Sequence, residues 1–552
     1  MVQAQSHRGP DATGFYYSPV NYTGLGHNRL SIIDLHAASN QPFISTDERY
    51  VVVFNGEIYN YLELRAELEH TFSFRTHSDT EVLLNAFIHW GSGCLDRFNG
   101  MFSFAIWDER NRTLFAARDR FGVKPFHYAL YQGALYFASE IKALWAAGIP
   151  KIPYAPVWAG YLSYGTYGMP DETFWAGISQ LPAGHFLQWE NGQTAITRWY
   201  HFVERIHSMP TLSEQEAVEM WTGIAMDSIR LRFRSDVPVG FNISGGLDSS
   251  LLLALVHRQY PNDQHIQAFS FYTGDERYDE LPWVQEMIQM TAFPLHPVRL
   301  SVEEVPELAA KVAWFEDEPY GGIPTLAYSK VFETARQNGI VVLLDGQGMD
   351  EAWGGYDYYV HQSGALVQGS KSSPVRPNCL TPEFRALAPK PEFPQPFDNA
   401  LQNLQYRDLF YTKIPRALRF NDRISMMHST ELREPFLDHR LVELAFSLPP
   451  SMKIKNGQQK WLARRIADDF LPKQVTLAPK RPLQTPQREW LAGALKEWCT
   501  AQIHQTFGIS DWLNTEQCIR EFQNFAEHKS DNSFFVWQWL SLSDITRNIT
   551  RA

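Results

Sequence analysis

Apolar and polar positions follow two different rhythms along the chain. From Met1 to about Pro150 the spacing is two: Phe102-Ser-Phe-Ala-Ile-Trp107 and Leu114-Phe-Ala-Ala117 flank the polar stretch Asp108-Glu-Arg-Asn111. Alternation of this kind buries one face of a strand and wets the other, so the two runs predict an antiparallel hairpin. A second hairpin is expected between Phe126-His-Tyr-Ala-Leu-Tyr131 and Ala134-Leu-Tyr-Phe-Ala138, turning at Gln132-Gly133, where glycine supplies the positive φ of a tight turn. Between strands, Ser78 to Trp90 has helical spacing, with Val82, Leu83, Ala86 and Phe87 in one stripe and Ser78 at the cap position. This half predicts an α+β arrangement. From about Thr211 the rhythm changes to strand, helix, strand: Val237 to Ile243 feeds a glycine turn and the helical run Asp248 to Arg258, and further strands are expected at His265 to Tyr272 and Ile340 to Leu344. Such units build a parallel sheet covered on both faces, so the second half predicts α/β. Gly369 to Pro396, rich in proline, serine and lysine, predicts a long surface loop.

Composition narrows the function classes. A chain of 552 residues suggests two to four domains on a prior of one per ~150 residues, and 44% hydrophobic with 20% charged residues is ordinary for a folded globular protein. The net charge of −12 disfavours nucleic acid and anionic lipid as main partners. Apolar runs such as Leu251 to Val256 fall far short of the ~20 residues a bilayer requires. Four cysteines without CxxC spacing and a polar start point to a reducing cytoplasm.

Chemistry concentrates where strands of the second half end. Ser244-Gly-Gly-Leu-Asp-Ser-Ser250 joins a buried strand to a helix, a turn whose backbone N–H groups and helix N-terminus suit an anion such as pyrophosphate. It carries no lysine, and Asp248 inside it argues for a metal-bridged phosphate. A second cluster, Leu344-Asp-Gly-Gln-Gly-Met-Asp-Glu-Ala-Trp-Gly-Gly-Tyr356, again follows a short apolar strand. On the resemblance given below, Asp248 and Asp350 would hold Mg²⁺ between pyrophosphate oxygens. The aromatic residues from Trp353 to Tyr359 read as packing.

These loops resemble the pyrophosphatase loop and partner motif of AMP-releasing, ATP-consuming ligases. Asp422-Arg-Ile-Ser-Met-Met-His428 and Glu431-Leu-Arg-Glu-Pro-Phe-Leu-Asp-His-Arg440 resemble signatures of the glutamine-hydrolysing asparagine synthetase family. In the first half, His7-Arg-Gly-Pro-Asp11, Arg29-Leu-Ser-Ile-Ile33, Phe54-Asn-Gly-Glu-Ile-Tyr-Asn60, Ser78-Asp-Thr-Glu81 and Ala117-Arg-Asp-Arg-Phe-Gly-Val-Lys-Pro125 are similar to the class II glutamine amidotransferase domain. The resemblance implies an Ntn-type αββα glutaminase domain, truncated at its start, over residues 1–205 and a doubly wound PP-loop synthetase domain with helical additions over 206–552. It implies that glutamine hydrolysis supplies ammonia to the second half, where aspartate attacks the α-phosphate of ATP to give β-aspartyl-AMP and pyrophosphate. Arg29 would pair the glutamine α-carboxylate and Asp79 its α-ammonium; Leu30, Ser31, Ile32, Ile33 and Glu57 belong to the same site, and Asn55 with Gly56 would form the oxyanion hole. Ile243, Ser244, Gly245, Gly246, Asp248, Ser249, Phe271, Asp345 and Gly346 would contact ATP, and Lys480 would neutralise the adenylation transition state. A homodimer is compatible with this reading.

Two positions depart from the family pattern. The class II nucleophile is an N-terminal cysteine, whereas this sequence begins Met1-Val2 and its first cysteine is Cys94, read as an inert core thiol at a helix end. Met1 is therefore expected to be an internal methionine of a longer chain, with a natural ammonia-dependent variant as the alternative; as written, the glutaminase half is expected to be inactive. Gln347 stands where the family pattern is acidic, and an amide neither acts as a base nor carries charge. The expected activity is asparagine synthesis. The rivals are an AMP-forming ligase amidating another carboxylate, in secondary or surface-polysaccharide metabolism, and a non-catalytic nucleotide-binding paralogue.

Overall fold

The computed structural model describes residues 1–19, 21–261, 263–291, 293–361, 373–478, 485–507, 511–528 and 532–549. In the first half, β1 (Phe43–Ile44), β2 (Tyr50–Ile58), β3 (Gly100–Asp108), β4 (Thr113–Arg118), β5 (His185–Glu190) and β6 (Gln193–Arg198) form one six-stranded sheet in the order β6-β5-β4-β3-β2-β1. All its pairs are antiparallel. The predicted hairpins are present: β3 pairs β4 from Ser103–Arg118 to Asp108–Thr113, and His127–Tyr131 pairs Ala134–Ala138 across Gln132 and Gly133, both at positive φ. Period-two alternation decides which neighbours each face meets. Val52 and Phe54 of β2 pack with Leu64 of the helix Tyr61–Leu68 and with Val82 and Leu83 of α1 (Asp79–Trp90). Val51 and Val53 pack instead with Leu25 and Phe126, beside a two-stranded and a three-stranded sheet. Helices Ile141–Ala146 and Ala155–Tyr164 cover the far side of the three-stranded sheet, giving four layers, α, β, β and α. Ser78 caps α1, its side chain accepting the Thr80 N–H at 3.1 Å.

In the second half, β7 (Val239–Asn242), β8 (Gln267–Tyr272), β9 (Leu295–Arg299), β10 (Val342–Leu344) and β11 (Glu431–Arg433) make a wholly parallel sheet in the order β9-β8-β7-β10-β11. Both faces are covered: Phe241 and Leu344 pack on Leu251 and Leu255 of α2 (Leu247–Gln259), while Phe269 and Leu343 pack with Leu326 and Phe332. The chain leaves β7 toward β8 and β9, then returns to β10 and β11 on the other side. The loops after β7 and β10 therefore diverge and open a crevice at the carboxyl ends of the central strands.

The segment expected as a long surface loop is irregular and largely exposed over most of its described length, but it is anchored. Residues 369–372 lie outside the described residues, and 373–396 contains two short helices, Pro377–Cys379 and Pro382–Arg385, with Cys379, Leu380 and Phe384 buried. Phe384 stacks on Trp512 at 4.4 Å. Proline and serine set the local irregularity, but three apolar anchors spaced among them dock the segment on the C-terminal helices.

Charged side chains hold the two halves together. Arg8 makes a two-pronged contact with Asp422 at 2.8 and 3.0 Å and donates to Glu140 at 3.0 Å. Arg433, wholly buried, donates to Glu431 at 2.8 Å and lies 3.5 Å from Glu57 of β2. Burial alone would lower the Arg8 pKa; Asp422 and Glu140 more than reverse that and hold it charged. Removing one partner of such a pair strands the others. Arg8→Met is expected to cost ~3–5 kcal/mol in urea unfolding, and a loss under ~1 kcal/mol would show the fork to be worth no more than a surface pair.

Candidate active site

A cavity of about 140 Å³ opens between β2, the strand Gly24–Arg29 and the start of α1. Arg29, Leu30, Ile32, Ile33, Asn55, Gly56, Glu57 and Asp79 line it; Ser31 does not, its N–H being donated to Asp11 at 2.7 Å. Gly56 has φ of 140°, and a Cβ there would lie 2.0 Å from the Met101 carbonyl oxygen, so no other residue fits this bend. Arg29 donates to the carbonyls of Ile33, Asp34 and His36 and to Asn40 Oδ1, gripping the turn that walls the cavity. Asn55 Nδ2 donates to Ser139 Oγ at 3.4 Å. Asp79 accepts the Ile58 N–H at 2.9 Å, and burial nevertheless pushes its pKa up to about 6. Burial, with Asp79 and Glu431 close by, also holds Glu57 well above the usual carboxylate range. Two carboxyl groups beside one arginine suit an amino acid's ammonium and carboxylate. The motif reading missed His27 and Gln41, and also Met426 and Glu431, which reach this cavity from the second half. No spacing in the sequence signals them, because each arrives from a separate element.

The second cavity, about 390 Å³, fills the crevice between β7 and β10. Ser244 to Ser249 form one wall; Ser249 Oγ donates to Ser244 O at 2.7 Å and so pins the turn into α2. Asp345, Gly346, Gln347 and Asp350 form the opposite wall, Asp350 on the short helix α3 (Met349–Trp353). Ile243 and Phe271 do not line the cavity: Ile243 lies just past β7 with its side chain in the core, and Phe271 packs edge-on against Tyr328, which does line it. Lys480 lies outside the described residues. Burial of Asp345 pushes its pKa up to about 6.

Lys460 is the group that motif reading did not find. Its ammonium lies 2.6 Å from Asp248 and 2.5 Å from Asp350, joining the two clusters. It sits in the left-handed region at φ 54°, just before the helix Trp461–Ala467. A cation at a helix N-terminus opposes the macrodipole, and that mismatch is the sequence signal it offers. Gly355 makes room: a Cβ there would come within 1.9 Å of Asp350 Oδ1 and 2.4 Å of Lys460 Cε. Arg464, Lys413 and Arg416 add further cations to the wall. Lys413, on α4 (Lys413–Met426), has its pKa lowered to about 7 by burial.

The donor set fits Mg²⁺. One ammonium reaches both Asp248 and Asp350, so a single ion can as well, and both offer hard carboxylate oxygen. Among the described residues no group of three potential ligand side chains converges. Two carboxylates completed by substrate phosphates is the usual way this ion is held.

Two family models match the chain, one over each half. That for "Glutamine amidotransferase domain" covers residues 1–200, and that for "Asparagine synthase" covers residues 225–547. The chain belongs to the asparagine synthase family. Relatives at moderate identity extend over nearly all of it. Glutamine-hydrolysing asparagine synthetase 1 of Bacillus subtilis (strain 168) is 29% identical, over 97% of this chain and 91% of its own. Asparagine synthetase 3 of the same organism is 28% identical over 93% and 86%. Amidase chry2 of Gibberella zeae is 28% identical over 93% and 89%. As a member of the asparagine synthase family, the protein is an ATP-dependent, amide-forming ligase with an amidotransferase half, acting on small molecules. No helix among the described residues is long and apolar enough to cross a membrane.

The lowered pKa of Lys413 makes ATP binding visible as proton uptake. At pH 8 the amine is mostly neutral, and phosphates beside it favour the charged form, so binding should take up close to one proton per chain. Calorimetry in buffers of different ionisation enthalpy should show this at pH 8 and not at pH 6; uptake surviving in Lys413→Met would rule the lysine out.

Proposed function

We propose that the chain is an asparagine synthetase, converting L-aspartate, ATP and ammonia, glutamine-derived or free, to L-asparagine, AMP and pyrophosphate. The observation that carries the reading is the meeting of Asp248, Asp350 and Lys460 at the mouth of the phosphate loop, a charge set shaped for a pyrophosphate leaving group. A β-carboxylate oxygen of aspartate attacks the α-phosphorus and pyrophosphate departs; ammonia then attacks the activated carbonyl carbon and AMP departs. Backbone N–H groups of the first helical turn, Leu247 to Ser249, are assigned to phosphate oxygens, those of Ser244, Gly245 and Gly246 being donated to Ser249 Oγ, Glu280 and Ser244 Oγ, and Asp345 with Gly346 is assigned to the nucleotide. Mg²⁺ held by Asp248 and Asp350 would supply charge for the leaving group. Lys460, whose ammonium reaches both aspartates, would then have phosphate oxygens as alternative partners. Lys480 is assigned to the adenylation transition state on resemblance alone.

In the first cavity, Asp79 is assigned to the α-ammonium of glutamine, Arg29 to its α-carboxylate, and Asn55 with Gly56 to the oxyanion. No thiol among the described residues lines this cavity. Cys94 is wholly buried in the core of the first half, where burial pushes its pKa far up. The 552-residue polypeptide is therefore expected to draw nitrogen from ammonium and not from glutamine.

Gln347 favours a second reading, amidation of another carboxylate, because an amide at this wall can orient an acid but cannot take its proton. That a relative is named an amidase supports keeping it.

Pyrophosphate and asparagine formed from Mg-ATP and aspartate should appear with ammonium and not with glutamine. Asp248→Asn should reduce pyrophosphate release by about 10²-fold or more, the scale expected for a group stabilising the departing charge. Pyrophosphate release with an acid other than aspartate would establish the second reading. Glutamine binding should also depend on pH. Asp79, with its folded pKa raised, is protonated below about 6, and an ammonium needs the ionised form. Affinity should therefore fall about tenfold per pH unit below 6, and Asp79→Asn should bind weakly with no such slope. The sign for stability is opposite: the neutral Asp79 favours the ligand-free fold at low pH, and that contribution is lost as pH rises through 6.

A further inference from the structure

Two cations on the wall of the second cavity, Lys413 and Arg416, pair with no carboxylate among the described residues. They stand three residues apart on α4, a spacing that puts both side chains on the helix face lining this cavity. Lys413 is buried, its ammonium 4.9 and 5.5 Å from the ring centres of Tyr356 and Tyr358. Arg416 is half-buried, its guanidinium 5.6 Å from the ring centre of Tyr167. The two carboxylates that act on Lys413 from a distance are already engaged. Asp408 accepts from Tyr358, Tyr359, Thr412 and Arg407, and Glu351 accepts from Tyr356 at 2.5 Å. Arg416 is the charge that most opposes the ammonium of Lys413. Two like charges held together on a cavity wall are unfavourable until an anion joins them.

This pair is distinct from the phosphate end of the cavity. Asp248 and Asp350 are the carboxylates that act on Lys460 and Arg464, whereas those that act most on Lys413 are Asp408 and Glu351. Arg416 also lines a small cavity with Arg118 and Phe121 of the first half, so it marks the end of the second cavity that faces the junction. With phosphates assigned to the loop after β7, that end is left for the acid. A guanidinium fork and an ammonium side by side match the two oxygens of a carboxylate. We propose that Lys413 and Arg416 seat the second carboxylate of the acid substrate, the one that does not react, and so select dicarboxylic acids. This assignment rests on the reading of the second cavity as a site where ATP adenylates an acid. For aspartate the seated group is the α-carboxylate, and Gln347, which lines the same cavity, is left for the carboxylate that reacts. The triphosphate adds negative potential to the cavity from its other end, so the carboxylate meets Lys413 in its charged form.

The test is pyrophosphate release by the 552-residue chain with Mg-ATP and ammonium. Two dicarboxylates, aspartate and succinate, are compared with the acids left when one carboxylate is removed, β-alanine and propanoate. For each dicarboxylate that is turned over, kcat/KM should exceed that of its truncated partner about tenfold or more, the equivalent of one lost charged hydrogen bond. Arg416→Gln should raise KM for the dicarboxylate about tenfold or more, keep KM for ATP within about twofold, and narrow the gap to the truncated acid. Lys413→Gln should show the same loss for the acid, and provides the reading if Arg416→Gln does not fold. Equal turnover of the truncated acids, or a loss in Arg416→Gln that falls on ATP and spares the acid, would overturn the proposal and leave the ligase reading standing. Release with none of the four acids would overturn both.

Discussion

The buried fork between Arg8 and Asp422 is the contact on which the rest of the junction depends. Both residues belong to short motifs far apart in sequence, one at the start of the first half and one on α4. In a medium of low polarity neither charge is tolerable without the other, so the two halves dock in the one register that pairs them. An apolar junction of equal area would be at least as stable, but it would tolerate sliding. Arg433 adds a second pin, reaching from β11 to within 3.5 Å of Glu57, which is itself a wall of the first cavity. Docking and site geometry are therefore set by the same side chains.

Charge is also stored in the second cavity, in a form that can be exchanged. Lys460 between Asp248 and Asp350 neutralises two carboxylates that would otherwise repel across the mouth of the phosphate loop. Burial alone would lower its pKa, and the two aspartates raise it above the ordinary lysine value. Lys413, Arg416 and Arg464 stand on the same walls with less compensation. On the proposed function, a triphosphate with its metal ion would supply cation for the aspartates and anion for the lysines and arginines, so that preset charges rather than reordered ones would meet it.

Local pattern carried much of this architecture, and long-range pairing did not. Alternation in Phe102 to Ala117 placed a hairpin that the sheet reproduces, and the glycine turn after Val237 to Ile243 placed the phosphate loop at the true end of β7. Each depends on neighbours within a few residues. Lys460 offered only the mismatch of a cation before a helix, too weak a signal to place it, because its partners lie at positions 248 and 350. The segment from 373 to 396 is mostly the irregular surface stretch its prolines and serines predict, but composition does not show the buried anchors Val375, Cys379, Leu380 and Phe384. Met426 and Glu431 were read as signature residues without a place; folding puts them in the wall of the other half's cavity.

That last placement separates what each half can do alone from what the pair can do. The first cavity draws its strand, turn and Asp79 from the amidotransferase half, but Met426 and Glu431 close it from α4 and β11. Glu431 also binds Arg433, and its charge is among those that raise the Asp79 pKa. A change at the junction therefore reaches the ammonium site electrostatically, without any change in the residues that would touch an amino acid. The second cavity shares this junction, because Asp345 in its wall donates its N–H to the carbonyl of Arg433 at 2.9 Å. Arg433 therefore reaches both walls, Glu57 through its guanidinium and Asp345 through its carbonyl, so a substitution at this one position is felt in both cavities.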